Sequence, residues 1–470
     1  MIQFGTDGWR GRIARDFTFE NVRKVSQAIS DFLSRKGPKG TLIIGHDRRF
    51  LSEKFARSAA EVLAGNGFRV LLFSKPVPTP LVSFTVVQKN AVGGVVLTAS
   101  HNPPEFHGLK FKESRGSSAT PQTTEKIESH LGRSKIRRFS FEEALRKKKI
   151  GWIDSDASYL SSLRKATDLS LFKKFRINVL ADALHGSSAD YIHQALSLGS
   201  VKVEILHAER DVLFGGVSPE PIPQNLGELT LRMRKGPYDI GIALDGDGDR
   251  LAAMMPGGIF LTPTHILTLI LYHFVNQKKL QGKVVKTISV SSLIDRIADS
   301  YDLPLEETPI GFKHISERMS DPDFLIGGEE SGGMGFRGSP FPERDGILSA
   351  LFLLEAMAAS ERPIHHLLQK IQREFGPLET GRVDLHYPKE KWTALLRRLR
   401  REEKKLLLEE VPLTVKDFDG LKLIGKNRWI LFRMSGTEPL LRIYAEGRSQ
   451  KEVNQMLQRG RALSQKELSR

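Results

Sequence analysis

"YDIGIALDGDGDR", residues 238–250, joins an apolar, strand-like run to a loop in which aspartate alternates with glycine. That junction decides the fold reading, because ligands of open parallel sheets bind beyond the carboxyl ends of the strands. The same grammar occurs at "GTLIIGHDRR" (40–49), "FRVLLFSK" (68–75) and "GGVVLTASHN" (93–102). It returns at "FRINVLADALHGS" (175–187), "VKVEILHA" (201–208), "GKVVKTISVSS" (282–292) and "DFLIGGEESGG" (323–333). β-Branched runs that lead into polar or glycine-rich turns and then helix-like patterns read as βαβ units. After Gly376-Pro377 the pattern changes, and "WILFRMSGTEPLLRIYAE" (429–446) reads as two strands around a turn. The expected architecture is three consecutive α/β domains, 1–152, 153–256 and 257–373, followed by a C-terminal α+β domain, 374–470.

Composition agrees with a folded, multidomain chain: 470 residues, 40% hydrophobic and 27% charged, with no low-complexity excess. The absence of cysteine excludes a disulfide framework and thiolate metal sites, and makes a reducing compartment, the cytoplasm, the expected location. "MIQFGTDGWRGRIARDF" lacks the pattern of a signal peptide, and "ILTLILYHFV" (266–275) is too short to span a bilayer, so no membrane association is expected. The net charge of +16 raises nucleic acid as a partner. The densest basic runs, 132–152 and 391–410, are however interrupted by acidic residues. In the second, Trp392, Leu395, Leu396, Leu399 and Leu406 to Leu408 fit one apolar helical face. These runs read as solvated helix faces, no nucleic acid is expected, and a small anionic substrate is the simpler partner.

Four stretches carry chemistry. Asp245, Asp247 and Asp249 can converge in a tight loop, and converging carboxylates need a cation; hard oxygen ligands select Mg²⁺ or Ca²⁺. An EF-hand is excluded, since the glutamate that closes its loop has no counterpart here. "TASHNPPEFHGLK" places Ser100 after an apolar run; by itself it is a helix cap or turn residue as readily as a catalyst, and G-x-S-x-G is absent. "RMSGTEPLLR" offers Arg433, Ser435, Gly436, Thr437 and Arg442, a match to a phosphate dianion. "GGEESGG" sets Glu329, Glu330 and Ser331 in flexible backbone suited to sugar hydroxyls.

In order along the chain, "FGTDGWRG", "TASHNP", "DGDGDR", "GEESGG" and "RMSGTEP" resemble the motifs of the α-D-phosphohexomutase superfamily, the phosphoglucomutases and phosphomannomutases. The resemblance implies a central active-site cleft to which each domain contributes one loop. By motif match, Ser100 is the phosphorylated serine, and Asp245, Asp247 and Asp249 hold Mg²⁺ together with an oxygen on Ser100. Glu329 and Ser331 contact sugar hydroxyls, and Arg433, Ser435, Gly436 and Thr437 hold the non-reacting phosphate, with Arg442, Arg250 and Lys313 as further substrate contacts. Arg10 adds charge beside the phosphoserine, His101 orients it, and Lys110 is the expected proton acceptor, its pKa lowered by nearby cations; a plain counter-charge is its alternative role.

The implied reaction interconverts hexose 1-phosphate and hexose 6-phosphate through a phosphoserine enzyme and a hexose 1,6-bisphosphate. "GEESG" leans toward glucose phosphate, with phosphomannomutase and phosphoglucosamine mutase as alternatives; a phosphosugar phosphatase and a basic nucleic-acid-binding protein are the readings from other classes. Gly333 stands where several family members have histidine, and His107 where asparagine is usual.

Overall fold

The computed structural model describes residues 2–5, 7–377, 379–435 and 439–468. Its chain contacts group it into two compact units, 1–285 with 311–367, and 286–310 with 368–470. The third sequence segment, 257–373, contributes to both, and the chain first passes from one to the other within the strand Lys283–Thr287.

The first unit opens with a seven-stranded sheet built from β1 (Phe4–Gly5), β2 (Gly8–Arg12), β3 (Thr41–His46), β4 (Arg69–Phe73), β5 (Gly93–Leu97), β6 (Phe106–Glu113) and β7 (Ile150–Ile153). Their order is β1-β2-β6-β5-β3-β4-β7, parallel through β5, β3, β4 and β7 and antiparallel at β6, β2 and β1. Adjacent parallel strands β3 and β5 end in register, His46 opposite Leu97, so the "DRR" and "TASHN" loops leave the sheet side by side. Thr18 caps the first long helix, Phe19–Lys36, by accepting from the Asn21 amide, and that helix buries Val22, Val25, Ile29 and Phe32 in the core of this sheet.

A second sheet follows, of β8 (Ile177–Asp182), β9 (Val201–Leu206), β10 (Ile240–Leu244), β11 (Leu251–Met255) and β12 (Ile259–Leu261), in the order β12-β11-β10-β8-β9. All five residues of β10 are buried, as its continuous apolar sequence requires of a strand covered on both faces. Farther on, strand Phe324–Gly328 pairs antiparallel with Met334–Phe336. Helix Gly346–Ser360 is apolar almost all round and buried from Gly346 to Ala358.

In the second unit an antiparallel sheet runs Glu379–His386, Leu440–Gly447, Trp429–Met434, Leu421–Ile424, Thr414–Lys416, with the helix Gln450–Leu468 packed on it. The strands on either side of "SGTEP" therefore pair as the sequence suggests. The basic run 391–410 is two helices, Trp392–Arg401 and Glu403–Leu406, and not one; Leu395, Leu399, Leu406 and Leu407 are buried while Arg400 pairs with Asp417. Among the described residues no helix is long and apolar enough to cross a membrane.

His107 gains a physical account. It is fully buried, stacked 4.7 Å from Phe17 and edge-on 5.1 Å from Phe55. Its Nδ1 accepts from the Gly108 amide at 2.9 Å, which leaves Nε2–H to donate to Ser52 Oγ at 3.1 Å. Asparagine can supply the polar contact but not the ring packing. Burial pushes the His107 pKa down from 6.5 to about 4. The unfolded chain thus takes up this proton before the folded one, and stability is complete above pH 6.5 and declines as the pH falls toward 4. His107→Asn is expected to cost about 2 kcal/mol in urea unfolding at pH 7 and to flatten the acid limb of the stability profile.

Candidate functional site

Ser100 lies in the turn after β5 with a left-handed φ of 52°, a conformation that non-glycine residues seldom adopt, and is completely buried. Its amide donates to Thr98 Oγ1 at 2.8 Å and its Oγ to Asp245 Oδ2 at 2.7 Å. Serine and acidic loop therefore meet across 145 residues of sequence.

Asp245, Asp247 and Asp249 are all fully buried, and one carboxylate oxygen from each lies within 4.8 Å of the others. Asp245 Oδ1 accepts from the amides of Asp249 and Arg250. Asp247 Oδ2 accepts from Thr79 Oγ1 at 2.6 Å and Lys110 Nζ at 2.8 Å, and Asp249 Oδ2 from Lys110 Nζ at 2.9 Å. The remaining oxygens, Asp247 Oδ1 and Asp249 Oδ1, are buried and accept no hydrogen bond among the described residues. Converging carboxylates with two buried oxygens left without hydrogen bonds fit a hard divalent cation, the chemistry that Mg²⁺ demands. Burial, with Asp249 and Asp247 adding repulsion, pushes the Asp245 pKa well up. Burial also raises Asp247, but Lys110 outweighs it and holds that carboxyl below the usual range.

The acidic loop is braced through its backbone. The Gly246 carbonyl accepts from the Ser187 amide, that of Asp247 from the Thr79 amide, and that of Gly248 from the Gly346 amide, at 3.0, 2.9 and 3.1 Å. A Cβ on Gly246 would stand 2.6 Å from the Ser100 carbonyl oxygen, so only glycine lets the two loops close this far.

Lys110 sits on β6 opposite Val96 and is fully buried; its Nζ is 2.7 Å from Asp7 Oδ2 as well as bonded to Asp247 and Asp249. Burial lowers its pKa, but Asp247, Asp249 and Asp7 outweigh burial and raise it. The expected lowering by nearby cations is therefore corrected: its contacts are carboxylates, and they hold it charged. His101 Nδ1 is 3.4 Å from Ser100 Oγ, and burial, with Arg250 and Arg10, keeps the ring neutral. Arg10 donates to Asn102 Oδ1 at 2.5 Å.

Glu329 is buried in the tight turn before Gly332; its Oε1 accepts from the Gly311 amide at 3.0 Å, and burial raises its pKa to about 7 against the pull of Arg344. Ser331 lies in the same turn, half-buried, and Lys313 in the first turn of the helix Phe312–Arg318. Arg250 Nε stands 3.8 Å from Asp249 Oδ1. In the second unit, Arg433 is committed to Asp419 at 2.9 Å, Arg442 lies 3.8 Å from Asp384, and the Ser435 amide donates to the Leu440 carbonyl. Gly436 and Thr437 lie outside the described residues.

Sequence reasoning passed over three charged residues. Asp7, within the quoted "FGTDGWRG", bridges Lys110 and Arg344. Arg49, in the loop after β3, donates to four carbonyls of the Ser100 loop. Arg344, in "PERDG", reaches Asp7, lies 3.0 Å from Asp249 Oδ2 and 3.5 Å from Glu329 Oε2. The first two follow quoted strand or motif signals, whereas Arg344 carries no signal beyond its place ahead of an apolar run.

Buried serine, acidic triad and buried cations are the equipment of phosphoryl transfer, which depends mainly on positioning and charge neutralisation. Models of the phosphoglucomutase/phosphomannomutase family match the chain in four parts: α/β/α domain I over residues 1–137, domain II over 157–258, domain III over 262–375 and the C-terminal domain over 396–462. The crystal structure of a Thermus thermophilus protein named after phosphomannomutase superposes with a TM-score of 0.87 at 34% identity, covering 99% of each chain. The phosphoglucomutase of Komagataeibacter xylinus is 28% identical over 95% of this chain and 87% of its own. The phosphoglucosamine/phosphogalactosamine mutase of Sulfurisphaera tokodaii is also 28% identical, over 97% of each. The chain belongs to the phosphoglucomutase/phosphomannomutase family, within the α-D-phosphohexomutase superfamily. It is a phosphohexomutase, an isomerase of hexose phosphates.

Gly333 also finds its reason: a Cβ there would stand 2.7 Å from Arg344 Cδ, so the Arg344 stem fills the space that a larger residue would need. Gly333→Ala is expected to displace Arg344 from Glu329 and Asp249 and to lower kcat/KM for a hexose phosphate about tenfold; steady-state kinetics check this, and an unchanged value would mean that Arg344 has room to yield.

Proposed function

We propose that this enzyme interconverts glucose 1-phosphate and glucose 6-phosphate, with phospho-Ser100 as the donor and glucose 1,6-bisphosphate as the intermediate. The observation that carries the reading is the hydrogen bond from buried Ser100 Oγ to Asp245 Oδ2, at 2.7 Å, in a converging acidic triad where Asp247 Oδ1 and Asp249 Oδ1 have no hydrogen bond among the described residues. Asp245, Asp247 and Asp249 would hold Mg²⁺ together with an oxygen of phospho-Ser100, and the ion, when bound, supplies charge neutralisation at the transferring phosphoryl group. Relatives support these parts: an Aspergillus fumigatus N-acetylphosphoglucosamine mutase was crystallised with GlcNAc-6P and magnesium, and a serine-to-alanine variant of it with glucose 1,6-bisphosphate.

In the forward step the bond between phosphorus and Ser100 Oγ breaks while one forms to the free sugar hydroxyl. The hydroxyl gives up its proton and Ser100 Oγ takes one back, so the enzyme returns to neutral serine. His101, neutral and 3.4 Å from Ser100 Oγ, is the uncharged acceptor next to the donor. Lys110, in its present contacts, contributes charge; it can accept a proton only when Asp247 and Asp249 have other partners. After the bisphosphate turns over, the same atoms run the reverse transfer from its other phosphate. Glu329 and Ser331 receive the sugar hydroxyls, with Lys313 and Arg250 as further contacts. Arg433, Ser435, Gly436, Thr437 and Arg442 take the phosphate that does not react.

The glucose preference rests on the "GEESG" form of the sugar loop; mannose and glucosamine phosphates are the competing substrates, since relatives of equal identity carry different sugar names. Coupled assays on the three hexose phosphates are expected to give the highest kcat/KM with glucose 1-phosphate. A higher value for either competitor reassigns the sugar and leaves the mutase intact. Ser100→Ala is expected to fold normally and lose on the order of 10³-fold or more in turnover, and intact-mass measurement should show that it no longer acquires phosphate from glucose 1,6-bisphosphate. Chelation should abolish wild-type activity and added Mg²⁺ restore it.

A further inference from the structure

The loop after β3, Asp47 to Leu51, carries none of the motifs that gave the activity, yet it holds a side chain that makes four hydrogen bonds. Arg49 is completely buried. Its Nη1 donates to the carbonyls of Pro103 and Phe106 at 2.9 and 3.0 Å, and its Nη2 to those of Ser100 and Asn102 at 2.7 and 2.6 Å. Nε lies 3.2 Å from Asp47 Oδ2, and Cζ stands over the Phe214 ring, 4.9 Å from its centroid. One planar fork thus spans the turn that presents Ser100.

That turn needs holding. Ser100 has a left-handed φ, and its carbonyl is pressed on one side against Gly246 of the acidic loop, where a Cβ would stand 2.6 Å away. Arg49 Nη2 donates to the same carbonyl. The grip is itself anchored: His107 Nε2–H donates to Ser52 Oγ, Ser52 Oγ–H to Asp47 Oδ1 at 2.8 Å, and Asp47 Oδ1 also accepts from the Arg49 amide at 3.0 Å. Arg210 adds bonds from the second sheet's side to the carbonyls of Arg48 and Arg49, at 3.0 and 3.1 Å.

We infer that Arg49 is the positioning residue of the phosphoryl carrier: it fixes the backbone of Ser100 so that Oγ faces Asp245, and acts on the reaction only through that placement. The inference rests on Ser100 being the carrier. A lysine cannot replace Arg49, because an ammonium is a point charge with three donors on a flexible stem and cannot serve four carbonyls at once. In-line phosphoryl transfer is sensitive to displacements of about 1 Å, which can cost on the order of 10²-fold.

The experiment compares full-length wild type, Arg49→Lys, Arg49→Ala, Phe214→Leu and Ser100→Ala, with every rate divided by the folded fraction from near-ultraviolet circular dichroism. Arg49→Lys is expected to lose about 10²-fold in kcat with KM unchanged, and to acquire phosphate from glucose 1,6-bisphosphate more slowly by the same factor in intact-mass time courses. Millimolar guanidinium should restore part of the Arg49→Ala rate and none of the Ser100→Ala rate. Phe214→Leu, which loosens the clamp without removing it, should lie between wild type and Arg49→Lys. Per-molecule kcat and phosphorylation rates equal to wild type in Arg49→Lys and Phe214→Leu overturn the inference, as does a loss seen wholly in KM. If Ser100→Ala turns over like the wild type, the carrier assignment fails instead, and the two failures are told apart.

Discussion

The structure depends on keeping several carboxylates out of water without letting them repel the fold apart. Asp7, Asp245, Asp247, Asp249 and Glu329 lie together, and the cations in contact with them are Lys110 and Arg344, with Arg250 at the margin. Breaking one buried pair by removing a partner typically costs about 3–5 kcal/mol, because the charge left behind stays buried. Much of the first unit's geometry follows from supplying these partners. β6 turns Lys110 inward, the Asp7 turn lies between both cations, and helix Gly346–Ser360 begins where it can deliver Arg344. Asp245 and Glu329, which make no ion pair with Lys110 among the described residues, are carboxyl groups that burial pushes up.

Such an arrangement suits phosphoryl transfer. Charges already fixed in a site that excludes water need not reorganise when the phosphoryl group moves. The backbone bracing serves the same end: three consecutive carbonyls of the acidic loop, Gly246 to Gly248, each accept from a different segment, so the rest of the fold helps to set the loop. Within the loop, Asp245 Oδ1 accepts from the amides of Asp249 and Arg250, and its Oδ2 meets Ser100.

The strand-and-turn grammar was legible because apolar runs and glycine-rich turns are local signals, and the acidic loop and the Ser100 turn fell where that grammar put them. Charge environment was not legible. From the sequence, Lys110 is expected to have cations for neighbours, whereas its contacts are Asp7, Asp247 and Asp249, each more than a hundred residues away. Arg49 and Arg344 escaped for the same reason: each acts on a segment distant in sequence, and an arginine before or after an apolar run does not show which segment it will meet. His107 could be noticed as unusual but not explained until Phe17 and Phe55 were seen on either side of its ring. Likewise the break at Glu402 follows no strong stop signal, and one apolar stripe is compatible with two short helices as well as one.

Residues 344 to 346 join three duties in consecutive positions. Arg344 serves the carboxylates, Asp345 caps its helix by accepting from the amides of Ile347 and Leu348, and the Gly346 amide ties the helix start to the acidic loop. Arg344 directly precedes the extended cap residue, and successive side chains of extended backbone point to opposite sides, so a single inserted or deleted residue at this junction would turn the arginine away from its partners even if every side chain were kept. What this stretch must preserve through sequence drift is its length: many of the buried helix positions can trade one aliphatic residue for another, but the count from cap to cation cannot change.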